Sequence, residues 1–128
     1  ELGLMVPVIP EADKKTLDEV DDTMQELVKK AREGGLSLGE VTRGTFTITN
    51  LGMLGVDSFI AIINPRQAAI MATGEMKDKP KVVDGRIEIK PILTLSLSFD
   101  HRILDGALAA RFLGRVKSIL EGNLEEHM

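Results

Sequence analysis

The chain has 128 residues, 43% of them hydrophobic and 28% charged, with a formal net charge of −4 and no cysteine. That length predicts one domain with a modest core, and interspersed charges with four phenylalanines as the aromatics supply neither the basic stripe nor the stacking surface of a nucleic-acid binder. Without cysteine there is no disulfide, thiolate metal site or acyl-cysteine intermediate, a reducing compartment is suited, and no apolar run approaches the roughly 20 residues of a membrane span.

The first residues lack the basic region of a signal peptide. Leu4 to Ile9 is apolar, carries β-branched residues and ends at Pro10, which predicts a buried strand. Leu17, Val20, Met24, Leu27, Val28 and Ala31 then recur at helical spacing. Thr16 with Glu19 forms a capping-box pattern, and Gly34-Gly35 stops the run. Acids crowd the first half of this helix and bases its end, as the helix dipole favours. Asp13-Lys14-Lys15 reads as solvated charge entering the helix. Ser37 to Val41, with Ser37 and Glu40 spaced as a second capping box, predicts one more helical turn.

Thr45 to Asn50 alternates as a half-buried strand does, with Phe46 and Ile48 on one face and three threonines on the other. Thr45 and Thr47 read as good strand formers and nothing more. Leu51-Gly52-Met53-Leu54-Gly55 is punctuated by glycines but lacks the lysine and hydroxyl residue of a phosphate-binding P-loop, so its glycines are turn geometry. Phe59 to Ile63 predicts a short buried strand, Asn64-Pro65-Arg66 a turn, and Gln67 to Thr73 an apolar run that propensity does not assign. Lys77 to Lys81 reads as charged loop. Val82 to Ile87 is a hairpin whose Asp84-Gly85 pair supplies the positive φ angles of a type I′ turn.

From Ile92 to Phe99, Leu93, Leu95, Leu97 and Phe99 share one face of a strand, with Thr94, Ser96 and Ser98 opposite. A final helix from about Asp105 to Leu120 buries Leu108, Phe112, Val116 and Ile119 or Leu120. Ala109, Ala110 and Gly114 allow it close packing, and it stops at Gly122-Asn123. No internal repeat or linker divides this order, so residues 1–128 read as a single domain.

His101 falls at the corner between the last strand and the last helix, where a side chain faces a cleft and not a ladder. Asp105 follows where the helix begins and can cap its free N–H groups. A histidine with a fixed acidic neighbour and no metal-ligand partner suggests a proton-transfer base. His127, in the polar tail, is given no role.

The run Asp100-His101-Arg102-Ile103-Leu104-Asp105-Gly106 resembles the signature of the dihydrolipoamide acyltransferases, the core enzymes of the 2-oxoacid dehydrogenase complexes. More distantly it is similar to chloramphenicol acetyltransferase, which has a second histidine where this chain has Asp100. The likeness extends through most of the chain, including Gly44 to Gly74. It implies an α/β (α+β two-layer sandwich) fold, a mixed sheet covered by helices of the chloramphenicol acetyltransferase kind, with Gln67 to Thr73 as a strand. The chain matches the C-terminal half or more of the family's catalytic domain; an N-terminal arm, a helix, early strands and the lipoyl and subunit-binding modules are expected to be missing.

The resemblance also assigns roles. His101 is the catalytic base, Asp105 organises the corner with an arginine that is expected either in the missing N-terminal part or, as the local alternative, at Arg102, and Thr49 stands where the family carries the hydroxyl that supports the tetrahedral intermediate. The implied reaction is direct acyl exchange between dihydrolipoamide and coenzyme A, both substrates, with no metal. The succinyl-transferring branch typically has glycine where Leu51 stands, so the expected acyl group is acetyl or branched-chain. The alternatives are a noncatalytic core or assembly fragment, and a relative that acetylates small hydroxyl compounds, which Asp100 disfavours.

Expected partners are two further copies in a homotrimer, a lipoyl domain, and the dehydrogenase and dihydrolipoamide dehydrogenase components, with no nucleic acid and no membrane. Family trimers join into cages through an apolar C-terminal anchor; here only Leu124 and Met128 are apolar in a tail that holds two glutamates, so cage formation is expected to be weak or absent. The expected location is cytoplasmic, or the mitochondrial matrix in a eukaryote.

Overall fold

The computed structural model describes residues 3–122, which divide into two compact units: Phe46–Glu121, and the remainder, which includes residues 3–45. The smaller unit is built on helix α1 (Leu17–Glu33). The Glu19 N–H donates to Thr16 Oγ1 at 3.3 Å and the Thr16 N–H donates to Glu19 Oε2 at 2.8 Å, so the predicted capping box is complete. Gly34 ends the helix at φ 72°, a left-handed conformation that glycine adopts without steric cost. Helix α2 (Leu38–Val41) begins with the second capping box, and Lys30 bonds Glu40 at 2.7 Å.

The strand expected from Leu4 to Ile9 does not form. Residues 3–9 run without a ladder, Leu4 is 96% exposed, and the Val8 N–H donates to the Glu40 carbonyl at 2.8 Å. Pro7 removes a donor in the middle of the run, which spoils it for pairing on that side.

The larger unit holds a mixed three-stranded sheet in the order β1-β2-β5: β1 (Thr47–Asn50) is parallel to β2 (Ala69–Thr73), and β2 is antiparallel to β5 (Leu95–Phe99). Between β2 and β5 the chain makes a ribbon of β3 (Lys77–Val83) and β4 (Arg86–Ile92), closed by Asp84 at φ 48° and Gly85 at φ 77°, the positive angles a type I′ turn requires. The expected charged loop from Lys77 to Lys81 is therefore strand. Its lysines stay in water, with Lys79 on Asp57 at 2.7 Å and Lys77 on Glu75 at 2.8 Å, while the backbone pairs with β4. Residues 59–63 form no strand: Ile60 and Ile62 are 86% and 91% exposed, because apolar periodicity marks what gains from burial and does not supply a pairing partner.

The central strand β2 carries the core through Ala69, Ile70, Met71 and Ala72. Helix α3 (Gly106–Glu121) lies on this unit with Ala109 buried and Phe112 tilted against Phe46 at 5.7 Å between ring centres. Leu108, Phe112 and Leu120 remain 42–51% exposed, contrary to the expected buried stripe. Three strands span only about 10 Å at about 4.8 Å spacing, too narrow to cover the apolar face of a helix. The faces of β1 also differ from expectation, since Thr47 is buried and Ile48 is 64% exposed. The tail residues Leu124, His127 and Met128 lie outside the described residues.

Candidate active site

Strand β5 delivers His101 to a corner whose turns are all accounted for. The Asp100 N–H donates to the Ala68 carbonyl at 2.9 Å, one step past the end of the β2 ladder, and the Ile103 and Leu104 N–H groups both return to the Asp100 carbonyl, at 3.1 and 3.0 Å. Arg102 grips the Asp100 carboxylate through Nη2 at 2.6 Å and Nε at 2.9 Å, and its own N–H adds a bond at 3.0 Å. The Arg102 hydrogen bonds hold the Asp100 carboxyl down at about 2. Arg102 thus serves Asp100 and is not the arginine partner of Asp105.

Asp105 does what its place in the sequence predicts. Its Oδ1 accepts from the Leu108 N–H at 2.7 Å and its carbonyl from the Ala109 N–H at 3.1 Å, which makes it the N-cap of α3. The corner is thereby fastened at both ends, to β2 through Asp100 and to α3 through Asp105. At its apex His101 is exposed, with its ring 5.6 Å from that of Phe99. Among the described residues no hydrogen bond or ion pair reaches its imidazole, so both ring nitrogens are available for proton transfer.

An open cleft of about 600 Å³ lies between this corner and the turn Asn64–Gln67. The Gln67 N–H closes the turn on the Asn64 carbonyl at 3.0 Å; Pro65 occupies its second position and Arg66, at φ 72°, its third, which is type II geometry. Thr47 holds this turn in place. Its buried hydroxyl donates to Gln67 Oε1 at 2.6 Å and accepts from Asn64 Nδ2 at 2.9 Å. Reading Thr47 as a plain strand former missed this network, since it joins β1 to a turn 17 to 20 positions further on and no local pattern links the two segments. The one local signal for Arg66 was a non-glycine residue after proline in a turn.

Thr49 is not part of this cleft. Its register partner is Ala72, near the far end of β2, whereas His101 follows a residue bonded at Ala68 on the opposite edge of the sheet. Beyond Thr49, Asn50 Oδ1 accepts the Gly52 N–H at 2.7 Å, and residues 52–54 make a short 3₁₀ turn. Gly52 and Gly74 let three backbone segments meet here: a Cβ on Gly74 would lie 1.9 Å from the Asp57 carbonyl oxygen, and one on Gly52 would lie 2.6 Å from the Gly74 oxygen. The loop after Thr49 is thus fixed against the end of β2.

The family model for the catalytic domain of the 2-oxoacid dehydrogenases acyltransferase matches residues 1–128. The chain belongs to this acyltransferase family. It is 42% identical over 121 residues to the succinyltransferase component of the 2-oxoglutarate dehydrogenase complex of Rickettsia typhi, covering 94% of this chain and 30% of that protein. It is 44% identical to the acetyltransferase component of the pyruvate dehydrogenase complex of Zymomonas mobilis, covering 94% of this chain and 28% of that one. The chain therefore spans about a third of the length of these curated relatives.

Among solved structures it is similar to a probable dihydrolipoamide acetyltransferase of Listeria monocytogenes, with a TM-score of 0.88 and 40% identity over 90% of this chain and 49% of that one. The Azotobacter vinelandii dihydrolipoamide acetyltransferase gives 0.87 and 39%, over 92% of this chain and 49% of that one; it was solved to investigate a serine, a histidine and an asparagine in its catalytic mechanism. The fold is that of the acyltransferase catalytic cores, as the motif implied, and is chloramphenicol acetyltransferase-like.

Proposed function

We propose that this chain is the part of a dihydrolipoamide acyltransferase that carries the catalytic base, and that the enzyme exchanges an acyl group between dihydrolipoamide and coenzyme A. The observation that carries this reading is the His101 corner, whose imidazole is open while its neighbours Asp100 and Asp105 are tied to β2 and α3. The spacing in the Azotobacter enzyme supports it: the serine and histidine investigated there are 52 positions apart and the asparagine follows by four. Here Thr49 and His101 are also 52 positions apart (49 to 101), and Asp105 follows by four.

His101 removes the proton of the attacking thiol, which with an ordinary pKa near 8.5 is little ionised at neutral pH. The sulfur adds to the thioester carbonyl, the Thr49 hydroxyl donates to the resulting oxyanion, and the carbonyl re-forms as the second sulfur leaves and takes the proton back from His101. Because Thr49 and His101 are far apart within one chain, His101 of one copy works with Thr49 of the next in a homotrimer. The lipoyl group arrives on a lipoyl domain, loaded by the dehydrogenase component and reoxidised by dihydrolipoamide dehydrogenase.

Leu51 favours acetyl or branched-chain groups. The setting is the cytoplasm, or the mitochondrial matrix in a eukaryote. A thioester-exchange assay with acetyl, isobutyryl and succinyl donors tests the reading. Transfer abolished by His101→Ala is expected. Wild-type chain that assembles but transfers nothing would instead make it a core or assembly fragment.

A further inference from the structure

We propose that Arg66 is the anion-binding residue of the His101 cleft and takes a phosphate of the thiol carrier, so that coenzyme A reaches His101 through this cleft. The inference rests on the acyl-exchange reading, whose two thiols differ in charge: dihydrolipoamide has none, and coenzyme A carries phosphates. The cleft is lined by two full cations and one carboxylate, besides His101 itself. Arg102 and Asp100 neutralise each other in a bidentate pair. Arg66 is exposed, and among the described residues no hydrogen bond or ion pair engages its guanidinium. The unpaired charge of the cleft is therefore positive, and a planar guanidinium matches phosphate oxygens two at a time.

The backbone supports the same assignment. A type II turn places its third residue at positive φ, where glycine or asparagine is favoured, yet this turn carries arginine at φ 72°. Such strain persists only where surrounding structure over-determines it. Here the Thr47 hydroxyl ties both Asn64 and Gln67, on either side of Arg66, to β1. The turn thus holds an arginine at the rim of the cleft that holds the base, at a position whose backbone favours a residue without a side chain. An exposed arginine reaching outward suits a carrier whose thiol lies deep and whose phosphates lie at the mouth.

Arg66→Gly removes the guanidinium while fitting the left-handed backbone, and Arg66→Lys keeps the charge. The readout is the ratio of kcat/KM for coenzyme A to that for pantetheine, which has the same thiol arm and no phosphate. In Arg66→Gly this ratio is expected to fall on the order of 10-fold to 30-fold, with most of it restored in Arg66→Lys. An unchanged ratio overturns the proposal, because a purely structural role would lower both rates together. A fall in the ratio of succinyl to butyryl donors, with the coenzyme A to pantetheine ratio intact, also overturns it and assigns Arg66 to an acyl carboxylate. If no thiol is acylated, the acyl-exchange reading fails, and calorimetric titration with coenzyme A and pantetheine decides Arg66 separately. Weaker coenzyme A binding in Arg66→Gly alone sustains the anion site, and equal binding removes it.

Discussion

Thr49 and His101 stand at opposite ends and opposite edges of one three-stranded sheet. Thr49 is level with Ala72, and Asp100, just before His101, is bonded at Ala68. Four residues of strand are about 13 Å and two strand spacings about 10 Å, which together exceed the combined reach of a threonine and a histidine side chain. If both serve one reaction, as proposed, they must come from two chains. His101→Ala should nearly abolish transfer, and Thr49→Ala should cost on the order of 100-fold or more. Trimers reassembled from the two mutants should regain activity well above the mean of the parents; subunit exchange without recovery would sink the trans arrangement.

Asp105 caps α3 through the Leu108 N–H. Asp105→Ala should cost about 1 kcal/mol in denaturant unfolding, whereas Asp105→Asn should cost little, because asparagine caps as well as aspartate. Equal losses in the two variants would mean that the charge, and not the cap, is what matters.

Gly74 and Gly114 give opposite expectations for the same change. Alanine at Gly74 drives a methyl group onto the Asp57 carbonyl and should destabilise by about 3 kcal/mol. At Gly114, within α3, an added Cβ meets nothing within 4 Å, so alanine should stabilise by about 0.5 to 1 kcal/mol through helix propensity. Thermal melts of both variants check the pair, and a neutral Gly74→Ala would refute the three-segment crossing.

Acid should loosen the corner before His101 is lost to general unfolding. The folded structure holds Asp100 at about 2, below its ordinary 3.8, so it favours the ionised carboxylate. The stabilisation is present in full above about pH 4 and fades as pH falls toward 2. Glu40, held at about 2 by Lys30 and by Ser37, behaves the same way in the other unit. Carboxyl NMR titration should report both midpoints below those in Arg102→Gln and Lys30→Gln respectively; midpoints unmoved by these changes would dispose of the ion pairs.

Local signals in the sequence were sound where one segment decides its own structure. Thr16 with Glu19, Ser37 with Glu40, Gly34 and the Asp84-Gly85 pair each act within a few residues of themselves, and each forms as expected. The strands that failed or surprised depend on a partner elsewhere. Leu4 to Ile9 and Phe59 to Ile63 have the composition of strands and no ladder, while Lys77 to Lys81 has the composition of a loop and pairs with β4. The site divides in the same way. The corner position of His101 and the cap by Asp105 were legible because corner and cap are contiguous, whereas the Thr47 clasp on Asn64 and Gln67 joins residues 17 and 20 positions apart.

The ribbon β3-β4 is nested inside the pair β2-β5, so one two-residue turn lies at the head of the whole antiparallel arm. Pairing can start at Asp84-Gly85, where loop closure costs least, and travel through Lys77 and Ile92 to Thr73 and Leu95, bringing β5 into register without closing a long loop from scratch. The arrival of His101 at its corner then depends on a hairpin that takes no part in the cleft, and β1, which pairs in parallel, joins last. Gly85→Ala, strained at φ 77°, should slow refolding more than it speeds unfolding, and Thr47→Val should do the reverse. Stopped-flow chevrons of the two variants would read out that order, and identical folding arms would exclude it.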